Sequence, residues 1–227
     1  MIKVTKPCPP REKEFIFTEG IDYFTTGRTS IWGAEDKETS NVLKKTEMRG
    51  RWLNLGAGDG RYNLELLKKV DSLTVADIDE SALSKLWHVT PEQYRPKLGT
   101  SVFDISKKFP FETASFDGIF STGILHLFPK EVFKKIFKEA DRILKPRGKI
   151  IIDFATDIKR IGLDGNLIKF VDEPNYTFKE AGDFLKEVFK DYKIRLYESE
   201  VAPGNVKANP PYLFSCKFFI LVGEKKD

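Results

Sequence analysis

From Arg51 onward the chain switches repeatedly between short apolar runs and segments whose apolar residues recur every three or four positions. Such alternation marks parallel strands joined by crossover helices. It predicts strands at 51–55, 72–76, 100–103, 117–121, 149–154, 192–198 and 213–222, and helices at 60–70, 80–89, 130–144 and 178–190. The 130–144 helix has the clearest stripe: Val132, Phe133, Ile136, Phe137, Ala140, Ile143 and Leu144 share one face, and Pro146 with Gly148 ends it. Thr177 and Glu180 form a capping-box pattern at the start of the last helix. The final two strands have SEVAPGNVKANPPY between them in place of a helix, so the seventh should return antiparallel. The expected fold is α/β, a seven-stranded, mostly parallel sheet with helices on both faces.

Residues 1–50 have a different texture. Pro7, Pro9 and Pro10 are followed by aromatic and glycine punctuation and a polar helical pattern near 35–48, which reads as an N-terminal cap or lid on a single domain spanning 51–227. At 227 residues, with 41% hydrophobic and 32% charged residues, the chain can bury one substantial core. Lys and Arg exceed Asp and Glu by 38 to 34, and the two signs interleave, so neither half reads as a nucleic-acid arm. Cys8 and Cys216 are too few and too far apart for a disulfide framework or a four-ligand zinc site, and the longest apolar run, FFILV at 218–222, is far too short to span a bilayer. A soluble, cytoplasmic protein is expected. Abundant Lys and Glu with a single glutamine, Gln93, resemble the composition of heat-adapted proteins.

Candidate chemistry begins at NLGAGDGR, residues 54–61, which join an apolar strand to an amphipathic helix. Gly56, Gly58 and Gly60 permit a tight turn and a close ligand approach at a helix N-terminus, where free N–H groups favour an anion. The spacing is G-x-G-x-G, and Arg61 stands where the dinucleotide fingerprint wants its third glycine, so a nicotinamide or flavin enzyme falls behind. Asp77 closes the second strand, where a carboxylate can accept both hydroxyls of a ribose, whereas Asp79 reads as the N-cap of the next helix.

With NLGAGDGR, VADIDESAL, FDISKKFPFETASFDGIFS and ILKPRGKIIIDF in this order, the chain resembles the class I S-adenosylmethionine-dependent methyltransferases of the small-molecule type, from about Arg51 to Asp153. The resemblance implies a Rossmann-like fold with S-adenosyl-L-methionine as cofactor. It implies that Asn54, Gly56, Ala57, Gly58 and Gly60 pass beneath the methionyl part, and that Asp77 holds the ribose. Ile78 would lie against the adenine, Asp104 and Ile105 would face its edge, and Ser121 and Thr122 would border the transfer site. Arg28, in the leading EGIDYFTTGR segment, would pair with the methionyl carboxylate. Two positions depart from the family: Asn54 replaces a common carboxylate, and Arg147 replaces a glycine in the turn before the fifth strand.

In-line methyl transfer from a sulfonium needs mainly alignment, and STGILHLF after the fourth strand offers no metal-binding carboxylate, so a metal-independent reaction is expected. His126 is a candidate general base or a packed structural histidine, Asp153 a lower-ranked base or substrate contact, and Tyr23 a lid residue or catalytic group; His88 reads as surface or packing. NPPY at 209–212 resembles the substrate turn of amino-methyltransferases, but it follows the sixth strand instead of the fourth, leaving Tyr212 as a pocket candidate only. With no basic stripe, the expected partner is a small-molecule acceptor. An RNA or protein methyltransferase using Lys159, Arg160, Lys169 and Lys207, and a non-catalytic cofactor-binding subunit, are the alternatives.

Overall fold

The computed structural model describes residues 22–26, 36–170, 173–206 and 211–227, with only the backbone of Phe24. Among these, the strands are β1 Arg51–Leu55, β2 Ser72–Asp77, β3 Leu98–Val102, β4 Phe116–Ser121, β5 Leu144–Gly162, β6 Tyr192–Val206 and β7 Tyr212–Lys225. The helices are α1 Tyr23–Thr26, α2 Lys37–Lys45, α3 Asn63–Leu67, α4 Glu80–Val89, α5 Lys130–Ile143 and α6 Phe178–Val188.

All seven strands join one sheet in the order β3-β2-β1-β4-β5-β7-β6, with β7 antiparallel to both of its neighbours and β1 to β5 parallel. This is the expected topology. A parallel sheet must be covered on both faces, and two apolar clusters cover this one. One contains Phe133, Ile136, Ala140 and Ile143 of α5 with Ala181, Phe184 and Leu185 of α6. The other contains Leu66 and Leu67 of α3, Leu83 and Leu86 of α4, and Val42 and Leu43 of α2, which share the core with Trp52. The polar helical pattern near 35–48 is therefore α2. The Asp36 carboxylate caps it by accepting the Thr39 N–H at 2.7 Å, and the Lys69 ammonium donates at its other end to the carbonyls of Leu43 and, at 2.9 Å, Thr46.

Three elements differ from expectation. The helix expected over 60–70 shrinks to α3, because the glycine turn consumes its first residues. β5 starts earlier than 149 and runs on to Gly162, with a shifted register between Phe116 and Gly118 of its neighbour. Arg147 lies there at φ 59°, holding at a cost of about 1–2 kcal/mol the left-handed conformation that a glycine adopts freely. At the far end, the segments expected as loops continue as strand: β5 beyond Phe154, β6 to Val206, and β7 from Tyr212 form an antiparallel extension past the ends of the parallel strands. Apolar Ile158, Phe214 and Cys216 pack on the α2–α3 face of this extension and give it a reason to form.

Candidate functional site

Register fixes the geometry of the carboxyl edge. Ala76, Leu55, Ser121 and Ile152 lie side by side on β2, β1, β4 and β5. The next residues, Asp77, Gly56, Thr122 and Asp153, therefore form a row across four neighbouring strands, about 14 Å from end to end at ~4.8 Å per strand. Residues far apart in sequence are brought together because each ends a strand.

At one end of the row, Asp77 Oδ2 accepts the Gly58 N–H at 2.8 Å and Oδ1 accepts the Asp79 N–H at 2.9 Å. Each oxygen keeps a lone pair for a further donor. Burial raises the pKa of Asp77, and the Asp79 and Gly58 amides oppose that shift. Gly56, Gly58 and Gly60 all have positive φ, at 65°, 51° and 95°. A Cβ on Gly60 would stand 2.7 Å from Asn63 Nδ2 and 2.9 Å from Leu86 Cγ, so that glycine is demanded by packing. A Cβ on Gly58 would meet nothing within 4 Å. Gly58 thus faces open space beside an aspartate with spare acceptors, a cradle that fits a hydroxyl-bearing ribose and its linked chain. Asp79 caps α4 as expected, accepting from the amides of Ser81 at 2.9 Å and Ala82 at 3.3 Å.

The other expected contacts divide. Ile78 and Thr122 are half-buried at the edge, and Ala57 is tied into the turn, its N–H donating to the Ala76 carbonyl at 3.0 Å. Asp104 is half-buried beyond β3 and accepts the Ser106 N–H at 2.8 Å. Ile105 turns its side chain into the core, leaving its backbone at the edge. Ser121 is buried and donates to the Leu55 carbonyl at 3.0 Å, and Asn54 donates to Asn63 Oδ1 at 2.8 Å; both brace the floor of the turn. Arg28 lies outside the described residues, as do Cys8, Lys207, Asn209 and Pro210.

At the opposite end of the row, Asp153 Oδ1 accepts the Gly123 N–H at 2.7 Å. Burial pushes its pKa up to about 6, partly offset by that amide and by the charge of Arg61, and reinforced by Asp36. Cys216 of β7 feels the same carboxylate, and burial pushes this thiol to about 12. Tyr62 closes the group: its hydroxyl accepts the Asp36 N–H at 2.8 Å and so ties the α2 N-terminus to the glycine turn. The sequence reading missed Asp36, Arg61, Tyr62 and Cys216 as a group; the one signal was the position of Arg61 and Tyr62 directly after the glycines.

His126 lies on the other face of the sheet, in the short 3-10 turn Leu125–Leu127, edge-on to Phe154 with ring centroids 6.3 Å apart. Burial, with the charge of Arg160 as a smaller cause, lowers its pKa to about 3, so the ring is neutral; Nδ1 has no partner among the described residues. Tyr23 packs on α4, its N–H 3.2 Å from Ser81 Oγ and its ring under the Lys85 ammonium. His88 is exposed, the first of its two expected readings. Tyr212 is buried at the start of β7. Arg160 is not the surface cation the polymer alternative wanted: it is buried, its guanidinium pairs with both Glu173 oxygens at 2.7 and 2.8 Å, and it stacks on Phe170.

Residues 53–152 match the family described as methyltransferase domain. No curated protein matches the chain in sequence. Among solved structures, the YcgJ protein of Bacillus subtilis superposes with a TM-score of 0.64 at 16% identity, covering 85% of this chain and all of that one. An S-adenosylmethionine-dependent methyltransferase of Methanosarcina mazei gives 0.59 at 18% identity, covering 86% of this chain and 100% of its own. The 1,6-didemethyltoxoflavin-N1-methyltransferase of Burkholderia thailandensis, solved with its substrate and S-adenosylhomocysteine, gives 0.60 at 18% identity, covering 90% and 84%.

Proposed function

We propose that this chain, whose residues 53–152 match the methyltransferase domain family, is a class I S-adenosylmethionine-dependent methyltransferase that methylates a small-molecule acceptor, without a metal, on the side of the carboxyl edge where β4 and β5 end. The observation that carries this reading is the row Asp77, Gly56, Thr122, Asp153, with a ribose-type acceptor at one end and a titratable carboxylate at the other. When bound, S-adenosylmethionine supplies a methyl group on a sulfonium, a good leaving group. The chain's own residues then have three tasks. Asp77 and the Gly58 turn would hold the sugar, the backbone from Gly56 to Gly60 would support the methionyl part, and the β4 end would fix the direction of approach, so that alignment supplies most of the rate.

A small acceptor is supported by the groups gathered near the far end. Asp36, bonded to Tyr62, and Cys216 lie within electrostatic reach of Asp153 there, and of the cations a polymer would use Arg160 is already bonded to Glu173, while Lys159 and Lys169 are exposed. The Burkholderia structure, solved with bound 1,6-didemethyltoxoflavin, is compatible with this class. Among the described residues no three His, Cys, Asp or Glu side chains gather to hold a metal, and no helix is long and apolar enough to cross a membrane. We propose a cytoplasmic location and a lid role for the segment before β1, in which Tyr23 packs and Arg28 would contact the methionyl carboxylate.

Bulk RNA binding separates the small acceptor from a polymer. The proposal predicts no complex in 50 mM salt at micromolar protein. A complex that forms at 50 mM and is released by 200 mM salt would show a phosphate-binding face and favour an RNA substrate.

A further inference from the structure

We propose that Asp153 faces the point of methyl transfer and takes the proton of an acceptor whose reacting oxygen or nitrogen carries a weakly acidic hydrogen. The inference rests on the cofactor reading above and deepens it.

Its first support is position. Asp153 is one strand from Thr122 and two from Gly56, at the same level of the carboxyl edge and on the side away from Asp77, so it would lie beyond the glycine turn as seen from the end that would hold the sugar. The second is orientation. The Gly123 N–H fixes Oδ1 at 2.7 Å, and Oδ2 receives no hydrogen bond among the described residues. Gly123 has a φ of 74°, and a Cβ there would meet nothing within 4 Å, so the turn leaves room beside the carboxylate. The third is surroundings. Arg61 from the glycine turn, Asp36 from the α2 cap, Tyr62 at the head of α3 and Cys216 from β7 are the charged and titratable groups that face it. Of these Arg61 alone carries positive charge. Burial outweighs the Gly123 amide and the Arg61 charge and pushes the Asp153 pKa up to about 6, close to neutral pH, where a general base works best. His126 is sealed against Phe154 on the opposite face, which favours Asp153 as the proton acceptor.

The step balances without a further reagent. The acceptor heteroatom forms its bond to the methyl carbon as the carbon–sulfur bond breaks, the electron pair of that bond stays on sulfur, and the acceptor's proton passes to Asp153 Oδ2.

Sinefungin tests the geometry before any acceptor is known, because a carbon bearing an amino group replaces the methyl-bearing sulfonium and places an ammonium where the methyl would be. The measurement is calorimetric affinity for sinefungin and for S-adenosylhomocysteine, with wild type and Asp153→Asn. A carboxylate beside the transfer point predicts that Asp153→Asn weakens sinefungin about tenfold or more at pH 8, the worth of a charge-assisted hydrogen bond. S-adenosylhomocysteine should stay within about twofold, and the wild-type preference for sinefungin should fade below pH 6. Equal changes in both affinities, or none in either, would overturn the assignment. Wild type that binds neither compound would instead overturn the cofactor reading, and the assignment with it.

Discussion

Glu173→Leu is expected to destabilise the fold by about 3–5 kcal/mol, because it strands the Arg160 charge in a buried site. The two side chains are 8% and 9% exposed and bonded in bidentate fashion, with Phe170 over one face of the guanidinium and Phe214 near it. A buried pair and a pair of apolar residues of similar size often differ little in stability, whereas half a pair is costly. The double variant Arg160→Met/Glu173→Leu should therefore recover most of the loss. Urea denaturation of the three proteins measures it, and a Glu173→Leu loss below about 1 kcal/mol would contradict the burial of this pair. The pair matters because it fastens the stretch after β5 alongside the strand extension that borders the acceptor end. Asn175 joins it there, accepting the Ile158 N–H at 2.9 Å and returning a bond to the Ile158 carbonyl at 3.0 Å.

The second large effect is a pair of opposed proton linkages. Asp153 titrates near 6 in the fold against 3.8 for the unfolded group, so between these values the native state holds the extra proton and stability falls as pH rises. Above pH 6 the cost is at most about 3 kcal/mol, at ~1.4 kcal/mol per pKa unit. His126 runs the other way. Its ring titrates near 3 in the fold against 6.5 unfolded, so below 6.5 the unfolded state takes up the proton and stability is lost as pH falls, by about 3 kcal/mol at pH 4. Over pH 4–6 the two nearly cancel in the wild type, and single variants uncover each. Asp153→Asn should be more stable than wild type at pH 8, by up to about 3 kcal/mol, with the gain nearly gone at pH 4. His126→Asn should remove the acid sensitivity, so that its stability relative to wild type improves as pH drops. Denaturant midpoints at pH 4, 6 and 8 read both. A gain for Asp153→Asn that is the same at every pH would rule out the shifted carboxylate. Stability gained by removing a group suited to proton transfer is the usual signature of a site held at the fold's expense.

The two ends of the site were unequally legible in the sequence. The Gly58–Asp77 end could be read because its parts are local: glycines at fixed offsets, a carboxylate closing the next strand, and Asp79 already in capping position. Helices α4 and α5 were equally plain, since apolar residues recurring every three or four positions over 10 to 14 residues match the helical period and no other regular one. The Asp153 end draws on residues from 36 to 216, and proximity across the fold leaves no pattern in any short window. The strand extension was hidden for a different reason. APGNV and DIKRIG carry prolines, glycines and charges that mark loops, and pairing with β7 overrides those local preferences. Arg160 followed the same logic: a lone arginine in sequence is a surface residue by default, and only a glutamate 13 positions on makes its burial tolerable. Ser121 and Asn54 each make a buried hydrogen bond in the floor of the turn, through Ser121 Oγ and Asn54 Nδ2, that no local pattern announces.

The proposed methyl transfer requires that the glycine turn and Asp77 hold the sugar and side chain of the adenosyl sulfonium. Calorimetric titration of S-adenosylhomocysteine into wild type and Asp77→Ala examines that grip without an acceptor, with circular dichroism to show that both proteins are folded. One site per chain is expected in the wild type, with a loss of affinity of about a hundredfold or more in Asp77→Ala, from removing a carboxylate that accepts two ribose hydroxyls. Absence of heat with folded wild type, or equal affinity in the two proteins, would refute it.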